Sequence, residues 1–124
     1  MFQTILVMSG GAIGAALRYH VGRLSLRLFG SGWPWGTLAV NVAGGLAMGL
    51  LAGWLVLREG AEPLRLFLAV GVLGGFTTFS SFSLEMMQMI QRGAVGSALS
   101  YALVSVIASV GALGLGLALT RTAA

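Results

Sequence analysis

Between Gly71 and Glu85 the chain reads GVLGGFTTFSSFSLE. Phe76, Phe79 and Phe82 recur at every third position, and Thr77, Thr78, Ser80, Ser81 and Ser83 fill the places between and after them. The run that holds them, Leu66 to Leu84, is apolar enough to cross a bilayer, where polar side chains are costly and face the protein interior or a water-filled path. Aromatic edges carry partial positive charge, and hydroxyl protons add more of the same sign. Such a lining suits a small anion. A cation conduit would need rings of Asp or Glu, and Glu85 is the only acid in or near the stretch.

Two further polar sets lie in other apolar runs. Asn41, in WGTLAVNVAGG, brings two amide donors and an acceptor. It either joins the same path or glues two helices together. Ser97, Tyr101, Ser105 and Ser109 are spaced i, i+4, which puts all four on one helix face, as a transport stripe or an interface stripe. Gly74-Gly75 predicts a break or distortion just before the Phe and hydroxyl run, because paired glycines weaken a helix and release carbonyls. Carbonyls freed at membrane depth must bond something, and broken transporter helices use them to hold a cation. No Arg or Lys lies deep enough to trap an anion, which favours passage over tight binding. From the residues alone the chemistry is a narrow anion path; donors of this kind do not specify which anion.

The elements that must position these groups are membrane helices. Of 124 residues, 57% are hydrophobic and 8% charged, with a mean hydropathy of +0.96. That leaves too little polar surface for a water-soluble globule. The seven basic residues are all Arg and fall near the ends of apolar runs, where they snorkel to the interface. The net charge of +4 reflects a shortage of acids, so no nucleic-acid partner is expected. Without Cys there is neither disulfide nor thiolate chemistry. The N-terminus lacks a basic n-region and is read as a retained helix.

Four apolar runs organise the chain into one four-helix domain over residues 1–124. The first, Phe2 to Leu17, is short of a full span and is expected to continue into RYHVGRLSLRLFG. Thr37 to Leu57 follows a turn whose Trp33 and Trp35 suit an interfacial belt. Leu66 to Leu84 and Ala94 to Thr120 complete the set, joined by short loops. With four spans, Arg58, Arg65 and Arg121 share one side and Arg18, Arg23, Arg27 and Arg92 the other. That near-balance gives the positive-inside rule little to act on and permits an antiparallel homodimer. Four helices enclose too little for a private pore, so a path between subunits is expected. Gly10 and Gly14, or Gly45, Gly49 and Gly53, have the small-xxx-small spacing for such an interface, and equally for packing inside one subunit.

GGFTTFSSFSLE, GTLAVNVAGG and GAALRYH together resemble the small bacterial fluoride channels of the Fluc, or CrcB-type, family, across essentially the whole chain. The resemblance implies a dual-topology antiparallel homodimer in the bacterial cytoplasmic (inner) membrane. It would export fluoride passively through two pores at the subunit interface. Phe79 and Phe82 match the pore phenylalanines and Asn41 the pore asparagine, while Tyr101, Ser105 and Ser109 match a polar track on the fourth helix. With the interleaved hydroxyls of Thr78 and Ser81, these form the expected fluoride-binding set. Arg18 and Glu85 are expected at the pore entrance. The backbone carbonyls of Gly74 and Thr77 match those that hold a structural sodium ion on the dimer axis. Phe76 is left out of the pore set.

Three rivals are weaker. A small multidrug exporter needs a membrane-embedded acid in its first helix, and Phe2 to Leu17 has none. A non-transporting membrane assembly subunit would explain the glycine faces but not three aligned polar sets. An enzyme is disfavoured because His20 is the only histidine and Glu59, Glu62 and Glu85 form no obvious catalytic pair.

Overall fold

The structure is a computed structural model that describes residues 1–123, with side chains through Arg121, and all regular structure among them is helical. Helix α1, Phe2–Phe29, runs for 28 residues through Arg18 and ends at Gly30, whose φ of 73° turns the chain out of the helix. As the sequence predicts, the apolar run and the Arg-bearing segment are one helix. Helix α2, Trp35–Leu55, follows a five-residue turn and spans 21 residues, about 31 Å at the α-helical rise. The third helix begins with Glu62–Leu64, where Pro63 sits in the first turn and its missing N–H costs nothing. It widens into a π-helix over Arg65–Leu73 and closes with Gly74–Phe76; these three segments are α3. The widening shows where the Gly74 N–H reaches the Ala69 carbonyl, five residues back. Helix α4, Phe79–Gln91, ends in a Schellman turn: Gly93, at φ 82°, bonds Ile90 O and Ala94 bonds Met89 O. Helix α5, Val95–Ala123, is the longest.

Three stretches are long and apolar enough to cross a membrane, Trp35–Leu55, Glu62–Gln91 and Val95–Arg121. Large apolar residues stay on the outside, among them Leu103, Ile107 and Val110 of α5, each more than 60% exposed. This is a multi-pass membrane protein, with lipid in place of water at those faces.

Close backbone packing holds the helices, as expected where lipid removes the hydrophobic drive for association. Gly10 and Gly14 of α1 press against the Phe67 and Val72 carbonyls of α3, and a Cβ on Gly75 would stand 2.6 Å from Gly11 O. On the other side a Cβ on Gly45 would stand 2.7 Å from Ser109 O and one on Gly116 2.6 Å from Leu46 O, while Gly49 presses against the Leu113 carbonyl. Both glycine faces are therefore used inside the chain, which decides between the two roles left open by their spacing. Among the described residues, a buried apolar cluster joins α4 to α5 through Phe82, Met89, Ala98 and Tyr101.

The break in the third span is not at the glycine pair. Gly74 is helical, with φ −62° and ψ −38°, and Gly75 lies in the same turn, its missing Cβ making room for α1. Thr77 and Thr78 are the extended residues, with ψ of 159° and 122°. A helix tolerates glycine when its neighbours clamp it; the helix breaks after Thr77, where Asn41 takes both backbone groups of Thr78. The Phe ladder is consequently split. Phe76 ends α3, whereas Phe79 and Phe82 share α4 with ring centroids 5.6 Å apart.

Candidate functional site

Asn41 organises the break. Its Oδ1 accepts from the Thr78 N–H at 2.8 Å, and its Nδ2 donates to the Thr78 carbonyl at 3.0 Å. Both backbone groups of Thr78 are thus satisfied by one amide from α2. Thr78 then caps α4, its hydroxyl accepting from the Ser81 N–H at 3.1 Å. On the α3 side, the Arg18 Nε donates to the Gly75 carbonyl at 3.1 Å. The arginine expected at the pore entrance is therefore also tied to the end of α3.

Two cavities meet at Thr78. The first, of about 580 Å³ and called the entrance cavity after the expectation for Arg18 and Glu85, lies between α1, the turn into α2, and α4, and is lined by Arg18, Arg23, Trp33, Thr37, Ser81 and Glu85 among others. Its carboxylate is engaged. Both Glu85 oxygens accept hydrogen bonds, Oε1 from the Thr37 hydroxyl and Oε2 from the Tyr101 hydroxyl at 3.3 Å. The second is a groove of about 430 Å³ lined by Asn41, Thr77, Thr78, Phe79, Phe82, Ser105 and Ser109, with aliphatic residues of α2 and α5. Here Ser105 and Ser109 carry buried hydroxyls that have no hydrogen-bond partner in the chain. Phe82 is almost wholly buried beside them, while Phe79 is 78% exposed at the rim.

The sequence-predicted residues therefore divide. Asn41, Thr78, Phe79, Phe82, Ser105 and Ser109 come together in the groove, and Arg18, Ser81 and Glu85 in the entrance cavity. Tyr101 lines neither: it is fully buried behind Phe82, its hydroxyl engaged by Glu85. Ser97, the first member of the α5 stripe, is exposed and apart from both cavities. Thr77 lines the groove, whereas Gly74 lies outside it on the exposed face of α3. Thr37 was missed as a site residue. Its signal was its place four residues before Asn41, one turn along the same face of α2.

Groups of this kind can strip and replace water around a small anion. Two hydroxyls without protein partners share the groove with two rings whose edges are electropositive. Among the described residues no group of three or more His, Cys, Asp or Glu side chains could hold a metal.

The family profile described as "CrcB-like protein, Camphor Resistance (CrcB)" matches residues 5–117. Among curated relatives, a "Fluoride-specific ion channel FluC" of Novosphingobium aromaticivorans is 55% identical over 123 residues, 98% of each chain. One of Hyphomonas neptunium with the same name is 59% identical over 119 residues, 94% of each chain. A third, from a Caulobacter species, is 55% identical over 98% of this chain and 96% of its own. With match and identity running from end to end, this chain belongs to the CrcB-like family.

Proposed function

We propose that the chain forms a fluoride-selective ion channel that lets fluoride leave the bacterial cytoplasm passively across the inner membrane. The observation that carries this reading is the pair of unpartnered hydroxyls, Ser105 and Ser109, buried beneath Phe79 and Phe82 in the groove. A buried donor without an acceptor costs about 1–3 kcal/mol, and an anion small enough to enter the groove would relieve it. Fluoride is the smallest halide and the strongest acceptor among them. The relatives' name points the same way, and channels of that name are not enzymes.

The groove is open on the Phe79 side in a single chain. A second copy in antiparallel orientation would close it, and two-fold symmetry would give two such paths per dimer. In that arrangement α1 is a fourth span, with Arg18 and Glu85 at the mouth. The carbonyls of Gly74 and Thr77 would hold a sodium ion where the two copies cross. Their surroundings suit this role. Gly74 is exposed and a Cβ there would meet only Ala69 O, at 3.7 Å, so another backbone can approach. The Thr78 N–H, which a continuous helix would return to the Gly74 carbonyl, is taken by Asn41. The cation would supply a fixed positive charge that lowers the cost of anions alongside.

Fluoride efflux from liposomes holding the purified protein, followed by a fluoride electrode with a chloride-loaded control, tests the function. Fast fluoride release without chloride release is the expected result. Silence toward both ions in a dimeric preparation would return the protein to the assembly-subunit reading. The same assay in sodium-free medium tests the cation, since undiminished flux there would remove it from the mechanism.

A further inference from the structure

Trp33 belongs to no helix, and its residue type marks it only as a membrane-interface side chain. Its ring does something more specific. It meets Tyr101 edge-on, with centroids 5.2 Å apart and planes at 73°. Tyr101 is fully buried and lies against Phe82, at 5.0 Å and 49°, which in turn lies 5.6 Å from Phe79. From the other side Trp35 packs on Trp33 at 4.8 Å, with the planes tilted by 53°. A continuous file of rings thus runs from the α1–α2 turn to the groove. Of its last four rings, only Trp33 lines the entrance cavity. It thus lines that cavity with one face while its ring packs on Tyr101, whose hydroxyl reaches the cavity's Glu85.

We propose that Trp33 is a positioning residue for the pore rings: it fixes the tilt of Tyr101, and through Tyr101 the orientation of Phe82 and the hydrogen bond to Glu85. The proposal rests on the channel reading above. Packed neighbours select among staggered side-chain rotamers, and edge-to-face pairs are directional. With the indole gone, Tyr101 would border the entrance cavity directly. Its ring could then swing toward water, releasing both Phe82 and the Glu85 contact.

The test uses the full chain in liposomes. Trp33→Ala should assemble as the wild type does but release fluoride about tenfold more slowly, the scale on which one aromatic pair acts. Trp33→Phe, which keeps a ring edge, should restore most of the rate; an interfacial anchor alone would not distinguish the two in this way. A second measurement is independent of how well the Ala variant folds. With Trp35→Phe and Trp54→Phe, Trp33 is the sole tryptophan, and Tyr101→Leu should shift its emission. Wild-type rates in Trp33→Ala, an equally slow Trp33→Phe, or an emission indifferent to Tyr101→Leu would each overturn the proposal. A wild-type protein that releases no fluoride would instead overturn the channel reading, and the role of Trp33 in it.

Discussion

The two cavities that meet at Thr78 both carry hydroxyls on their walls, and they differ in what those hydroxyls meet. In the entrance cavity each oxygen of the Glu85 carboxylate has a hydroxyl donor, from Thr37 and Tyr101, so polarity there is spent on holding the walls. In the groove the Ser105 and Ser109 hydroxyls are left without partners. A helical Ser commonly bonds the carbonyl four residues back, as Ser9, Ser83 and Ser100 do in this chain. The two groove serines depart from that habit. A hydroxyl's meaning in a membrane protein therefore lies in whether it is satisfied, not in its presence.

Asn41 is part of the partition between the two cavities, and replacing it should have the largest effect. Asn41→Leu leaves the Thr78 N–H and carbonyl unpaired at membrane depth, a loss of about 4 kcal/mol for two groups. Thermal unfolding in detergent should show it, and fluoride release should vanish. Asn41→Asp keeps the acceptor but sets a carboxylate against the Thr78 carbonyl, and should also abolish flux.

The rings come next. Phe82→Ile and Phe79→Ile should each slow fluoride release about tenfold while the dimer still assembles, if ring edges meet the anion. The pair separates flux from stability. Phe82 is 8% exposed and Phe79 is 78% exposed in the single chain. Only Phe82→Ile should therefore lower the unfolding temperature of the monomeric fold.

The smallest effects sharpen the comparison most. Ser109→Ala removes a donor that no protein group uses. It should slow flux about fivefold, a hydrogen bond's worth, and leave the unfolding temperature unchanged or slightly raised. Thr37→Val removes a donor that Glu85 does use. It should cost about 1 kcal/mol of stability and slow flux less than Ser109→Ala does. Equal behaviour of the two variants in both measurements would erase the distinction between satisfied and unsatisfied hydroxyls.

Much of the site was legible because its chemistry is local in type. An amide, two rings and a stripe of hydroxyls in apolar runs have few uses, and Asn41, Phe79, Phe82, Ser105 and Ser109 do converge. Tyr101 was placed on the correct face of α5, yet its partner is Glu85, sixteen residues away on another helix. Spacing along one helix cannot show what the facing helix offers. Thr37 and Trp33 were missed for the same reason, since each matters through a residue distant in sequence. The break was displaced by three residues for a related cause. Glycine pairs weaken a helix in isolation, but α1 packs tightly on Gly75, while Asn41 pulls Thr78 out of the helical path.

By itself the sequence determined the solvent, the helical class and the donor-rich chemistry, because composition, periodicity and residue type act within each segment. The tertiary structure decided where the third span opens, which glycines are spent on internal seams, and which buried hydroxyls are left without a partner. Those outcomes depend on whether a backbone or side-chain group finds its partner on another helix, and only the folded packing supplies that partner.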